Sequence, residues 1–262
     1  AQLSRGLGDV YKRQYVGGVA GNVRNGAVIQ NCAVYGDFYA SHNSSSSNSN
    51  YASMGGIAYG LIDSHISNCQ FHGVINGDGG SSSSYYNYLG SGGIAYYANS
   101  NSSVTNVAVQ GSIYGYADTA AGIVASLHTS DLDQGRAHVS ISQSDGTTAG
   151  GVGYAHSANV SCISAAGSAS GTADYYYSSG SVSVAGLISN LVNSNLTDSY
   201  SKNAASASHD SSSSSSNTLS GLVNNVNNSN VSRVFAEGSV NNDAGSSSST
   251  SCLLYTSDAA DD

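Results

Sequence analysis

Apolar positions recur along this chain in a fixed order. In Gly55 to Asn76, GGIAYGLIDSHISNCQFHGVIN, a Gly-Gly pair precedes an apolar residue, a variable stretch leads to a second apolar anchor, and an alternating run follows. The same order is found six more times. The second glycine of the motif, or its equivalent, falls at Gly18, Gly56, Gly93, Gly122, Gly151, Gly186 and Gly221, with spacings of 38, 37, 29, 29, 35 and 35 residues. Each is followed by Val, Ile or Leu. The anchors are Ile29, Ile66, Val104, Leu132, Val160, Leu196 and Val231, nine to eleven residues beyond their glycines. Periods of this length signal a repeat architecture.

Two residues after each anchor lies a slot holding Asn31, Asn68, Asn106, Gln134, Cys162, Asp198 and Arg233. Asn tolerates left-handed backbone, so the three consecutive Asn predict a tight bend with stacked amides. Alternation follows, as in Cys69 and Phe71 or Val107 and Val109, and marks a strand with one buried face. A further Gly and a second short alternation, as in Gly111-Ser112-Ile113, complete the unit. Each unit therefore reads as about three short strands joined by bends. Units four and six fit worst, with Gly135 and Ser199 in the first inward slot. One coil offers roughly four inward side chains worth about 1.5–3 kcal/mol each. Ordering its residues costs about 1.5 kcal/mol apiece. A single unit cannot fold alone, and stacking must supply the stability. The expected fold is all-β: one elongated parallel β-helix (β-solenoid) of about seven coils, right-handed by the usual chirality of parallel crossovers.

GGIAYGLIDSHISNCQFHGVING resembles the GLUG motif, a Gly-Gly-Leu-Val-Gly-like start followed by Ile-x-Asn-Ser/Cys and a short strand with Gly-x-Val. The resemblance covers Tyr15 to about Asn242, good in units one, two, three and seven and degenerate in four to six. It implies an exported, repetitive, adhesive chain. It carries over no catalytic residues.

The two ends do not follow the pattern. LSRGLGDVYKRQ within residues 1–14 and CLLYTSDAADD at 252–262 resemble translated sequencing adaptors, so 15–251 is the expected repeat domain. The chain carries seven basic and sixteen acidic residues, a net charge of -9. Setting the two ends aside leaves four basic and twelve acidic residues. No basic patch exists to neutralise phosphates, which argues against nucleic acid. Direct membrane contact is not expected either.

Ser-, Asn- and Tyr-rich inserts follow several units, at 39–53, 78–91, 172–182, 204–217 and 242–251, always in the slot before the next Gly-Gly. Loops in one slot project from one edge. That edge is the expected contact surface for a protein or glycan, anchored by Tyr85, Tyr86, Tyr88, Tyr175, Tyr176 and Tyr177, since Tyr offers a large ring and a hydroxyl at low entropy cost. The competing reading is that these loops are functionally neutral.

Cys32 and Cys69 occupy equivalent positions on consecutive units, with backbones about 4.8 Å apart in a parallel stack. A disulfide and a pair of stacked buried thiols are both open. No CxxC exists, so a structural zinc site is not expected. Sequons occur at Asn43, Asn101, Asn159, Asn195, Asn227 and Asn230 and would place glycans on loops in a secreted eukaryotic protein.

Catalytic signals are sparse. Asp131 and Asp133 form the one close acidic pair, with Arg136 and His138 as the nearby partners, against the alternative of a solvated turn. His65 and His72 flank the Asn68 corner and are expected to face solvent. Gly77-Asp78-Gly79-Gly80 is similar to calcium-binding glycine-aspartate repeats but occurs once, and such sites need stacked copies. No cofactor is expected. The sequence thus points to a structural or adhesive module of a larger surface or secreted protein, with a polysaccharide-active β-helix enzyme, or the accessory repeats of a surface protease, as the alternative.

Overall fold

The structure, a computed structural model, describes residues 13–41, 51–78, 90–115, 118–144, 146–173, 182–209, 217–243 and 249–250. Every strand pairing among them is parallel, and the strands fall into three sheets of eight, seven and eleven strands. The chain visits the sheets in turn, so that each circuit is one coil of a parallel β-solenoid, as the repeat pattern predicts. The first sheet holds short strands such as Tyr51–Gly55 and Val182–Ala185. After the Gly-Gly bend the chain enters the second sheet, as in Ala58–Ile62 and Val124–His128. A corner then leads to the long strands of the third sheet, His65–Asp78, Ser103–Gly115 and Asp131–Ser144.

The anchors stack in register as Ile29, Ile66, Val104, Leu132, Val160, Leu196 and Val231. Five of these are at most 1% exposed. All seven residues of the slot that follows are left-handed, with φ between 49° and 56°. That conformation costs an ordinary residue roughly 1–2 kcal/mol. The corner therefore persists because the stack on both sides imposes it, whichever side chain is present.

The Gly-Gly column is fixed by close approach. A Cβ on Gly18, Gly56, Gly93, Gly122, Gly150 or Gly186 would lie 2.0–2.4 Å from the carbonyl oxygen of the next glycine in the column. Only glycine lets successive coils come together at the bend. In the fifth coil the column uses Gly150, one residue earlier than the Gly151 that the sequence pattern selects. Gly151 takes the apolar slot, aligned with Ile123 and Leu187, and the side chains of Leu187 and Ile163 close over it.

The two misfit units are accommodated locally. Ile123 and Ile163 reach into the space beside Gly135. Ser199 is 2% exposed, but its hydroxyl donates to Thr197 O at 2.6 Å and accepts from Ile163 N at 3.1 Å. The inserts are narrower than the composition implies. Tyr51–Gly55, Gly90–Gly92 and Asn217–Ser220 all begin inside them, and Asn195–His209 extends into one. Backbone pairing with neighbouring coils overrides the loop-like composition there. At the other end, the strand Arg13–Gly17 starts two residues ahead of the expected boundary.

A second corner was not legible. Asn25, Asp63, Thr129, Ser157, Asn193 and Asn228 are also left-handed, between the second and third sheets. Beside it runs a buried serine ladder. Ser64, Ser102, Ser130 and Ser194 each donate to a carbonyl two or three residues back. Each of Ser102, Ser130, Ser194 and Ser229 accepts from the backbone N–H of the preceding coil at 3.0–3.2 Å.

Candidate functional site

Among the described residues, several sets of polar side chains on the outer surface form single-file columns along the axis. Asn68 Nδ2 donates to Asn31 Oδ1 at 3.2 Å and Asn106 Nδ2 to Asn68 Oδ1 at 2.7 Å, the stacked amides expected at the corner. Further along the corner column Arg233 Nη2 donates to Asp198 Oδ2 at 2.6 Å, and this hydrogen bond lowers the Asp198 pKa. Cys162 sits exposed between them and the preceding coil. Desolvation and the Asp133 and Asp198 carboxylates raise its pKa, which keeps the thiol protonated and a poor nucleophile.

The sequon residues Asn159, Asn195 and Asn230 belong to one ladder. Each donates its Nδ2 to the side-chain oxygen one coil back, at 2.9 Å, with Asp131 as the first acceptor. Asp133 accepts from Ser161 Oγ at 2.7 Å. The acidic pair is thus absorbed into two structural columns rather than converging on a reacting group. His65 lies in the same column as Asp131 and bonds Ser103 Oγ through Nδ1 at 2.8 Å. Asn101 occupies a left-handed position and Asn227 ends a second-sheet strand; the third residue of the Asn227 sequon, Ser229, is part of the serine ladder. Asn43 and the six insert tyrosines, Tyr85, Tyr86, Tyr88, Tyr175, Tyr176 and Tyr177, lie outside the described residues.

Cys32 and Cys69 lie on adjacent coils and both are free thiols, Cys69 buried and Cys32 half-buried. Each donates to the carbonyl two residues back, at 3.2 Å. Burial pushes the Cys69 thiol up.

Beside the Gly-Gly bend, tyrosines of the first and second sheets form an aromatic cluster that sequence reasoning missed. Tyr15 and Tyr59 stack at 4.1 Å, Tyr59 and Tyr96 at 5.6 Å, and Tyr97 meets both Tyr59 and Tyr96 edge-on. Gly60 makes this possible, because a Cβ there would lie 2.2 Å from the Tyr97 ring. Tyr97 reaches across it to donate to Asn22 Oδ1 at 2.9 Å. Burial, then the neighbouring Tyr15 and Tyr97, push the Tyr59 phenol up. Asp118 lies near Tyr96, and desolvation raises its pKa to about 6 although the residue retains solvent access. The signal in the sequence was the tyrosine cluster at Tyr59, Tyr96 and Tyr97 just after successive Gly-Gly pairs. These rings cover one another's faces, which makes the cluster a self-stacked ladder.

The third sheet carries a different surface. Its outward columns run Ala33, Gln70, Ala108, Arg136, Ser164 and Tyr35, His72, Gln110, His138, Ala166. They border a shallow depression of about 410 Å³. The floor is low because Ala108 and Ala166 are small while their neighbours are long. His72 faces solvent, as expected, and the register brings it onto one face with Arg136 and His138. Gln70 Nε2 donates to Tyr35 Oη at 3.0 Å, and the Tyr35 ring, 68% exposed, tilts over His72 at 5.9 Å. No carboxylate among the described residues lines the depression. Among the described residues, Lys202 and Arg233 of this sheet are paired with Glu237 and Asp198, whereas Arg136 has no ion-pair partner.

No group of three or more His, Cys, Asp or Glu among the described residues is arranged to hold a metal ion, and no helix is long and apolar enough to cross a membrane. The fold defines a parallel β-solenoid with polar and aromatic columns on its outside. No family model, no curated protein and no solved structure matches the chain.

Proposed function

We propose that this solenoid is a structural and adhesive module of a larger secreted or cell-surface protein, holding a protein or glycan partner through side chains repeated along its axis. One observation carries the reading. The carboxylates Asp131, Asp133 and Asp198 and the thiol of Cys162 are each tied or aligned with equivalents on neighbouring coils. A glycoside-hydrolysing acid-base pair needs two carboxyls facing across a substrate, not side by side along one strand. The stacked register supplies rigidity at low cost in charge, which suits a spacer that displays surface. The resemblance to GLUG repeats points the same way, as does the acidic balance, which disfavours nucleic acid.

The test is to immobilise the purified chain and challenge it with a glycan array and with extracellular-matrix proteins, while assaying the same preparation for new reducing ends or unsaturated sugars on a polysaccharide panel. Selective retention without product supports the module. Release of product makes it an enzyme and sinks the proposal, and absence of retention on every surface also counts against it.

A further inference from the structure

The geometry points to the third-sheet depression as a binding site for an acidic saccharide, with the sugar carboxylate paired to Arg136. This goes beyond the adhesive reading by naming a site and a ligand class, and it does not require that reading to hold.

The charge argument comes first. In a chain of net charge -9, a depression whose only charged lining residue, among the described residues, is an arginine with no ion-pair partner there is a local exception. A guanidinium without a partner presents a planar fork that matches a carboxylate in two parallel hydrogen bonds. His138 sits two residues along the same strand and His72 lies two coils back in the same column. Both imidazoles can donate to an anion or to sugar hydroxyls.

The shape argument selects a sugar over a bare anion. Tyr35, Gln70, His72, Gln110, Arg136 and His138 are all planar polar groups set around a floor of Ala108 and Ala166. Amide, imidazole and phenol groups around a small apolar base can both donate to and accept from the hydroxyls of a sugar ring. Coils repeat at about 4.8 Å, close to the length of one pyranose, so neighbouring sugars would meet equivalent positions of successive coils. The tyrosine ladder offers no comparable seat, because its rings cover one another. Among the described residues no carboxylate lines the site to repel a uronate.

The experiment uses the whole chain and tetragalacturonate as probe, followed by calorimetry and ligand-observed NMR. Wild type is expected to bind, and R136Q to raise Kd by roughly tenfold or more, the weight of one charge-assisted contact. A108F, which fills the floor without altering charge, is expected to abolish binding as well. Both positions are exposed on the outer face, and the thermal transition of each variant, unchanged, establishes folding. The fully methyl-esterified tetramer should not bind. The proposal fails if wild type ignores the probe, if R136Q or A108F binds like wild type, if the ester binds equally, or if inorganic sulfate competes as well as the oligosaccharide. Failure of the adhesive reading is separable: the soluble tetramer would bind while polygalacturonate-coated beads are not retained.

Discussion

Coils two to four and coils five to seven share one backbone register but are held together differently. Along one inward column of the third sheet the residues are Ile75, Ile113 and Ile141, then Ala169 and Ala205. Along another they are Phe71, Val109 and Ala137, then Ala165 and Ser201. The main core runs through both halves, with Leu187, Ile188, Leu191 and Leu196 in the second, but along these two columns the first half buries the larger side chains. In the second half Ser199, Ser201 and Asn203, each at most 2% exposed, intrude, and a separate small cluster of Ala169, Ala173, Val182, Val184, Ala205, Ala207 and Leu219 forms beyond them. Replacing Ile by Ala removes three carbons at about 0.8 kcal/mol each. The lesson is that register in a solenoid is kept by the backbone and its ladders, so the core can be thinned on one side without changing the path of the chain.

The sharpest way to break this comparison is at the glycine column, which the two halves share. Gly93→Ala and Gly186→Ala place a Cβ 2.1 and 2.0 Å from backbone carbonyl oxygens. Each is expected to cost about 4 kcal/mol or more. Equal losses in urea midpoint would show that the bend is independent of the core beside it, and a tolerated Gly186→Ala would show a softer second half.

Core truncation should separate the halves. Ile113→Ala is expected to destabilise by about 2–5 kcal/mol. At the matching column position, Ala205→Gly should cost only about 0.5–1 kcal/mol. Guanidinium unfolding of both variants measures the contrast, and similar values would erase it.

Asn203 sharpens the polar side. Its Nδ2 donates to Gly186 O at 2.7 Å while its Oδ1 has no hydrogen-bond partner among the described residues. Asn203→Ala loses one bond but also removes the unpartnered acceptor, so the expected net cost is about 1 kcal/mol. A much larger loss would mean that the amide is a keystone of the second half.

The ladder beside the second corner has one gap, Ala158, where Ser130 and Ser194 flank it on adjacent coils. Ala158→Ser would donate to His156 O and accept from the Ser130 N–H. The expected gain is about 0.5–1.5 kcal/mol, read as a rise in Tm.

The smallest effect concerns pH. The Asp118 pKa is raised to about 6, so the folded state favours the protonated form. Its contribution is therefore most favourable at low pH and declines as pH rises from the unfolded carboxylate value through about 6. Solvent access keeps the effect small. The urea-midpoint difference between Asp118→Asn and wild type should widen in favour of the variant between pH 4 and pH 7; a constant difference would refute the shift.

Legibility followed side-chain identity more than conformation. The anchor column and the slot that bends after it could be read because apolar residues and Asn recur there, and even Gln134, Cys162 and Arg233 were placed by spacing alone. The fifth coil misled because two adjacent glycines, Gly150 and Gly151, satisfy the same pattern and only inter-coil contact distinguishes them. The serine ladder was hidden in a chain so rich in Ser that a buried, twice-bonded hydroxyl looks like any other. Three of the sequons proved to be rungs of an amide ladder, since Asn serves both patterns. The Arg136 face required the third-sheet register, because His72 and Arg136 stand 64 residues apart in the chain.

The seven corner residues have a consequence for design. Asn, Gln, Cys, Asp and Arg all occupy the same left-handed geometry there, with φ varying by only 7°. Their exposed side chains project at a constant pitch of about 4.8 Å. The column is therefore a molecular ruler on which chemistry can be rewritten one rung at a time, with the fold as an indifferent carrier.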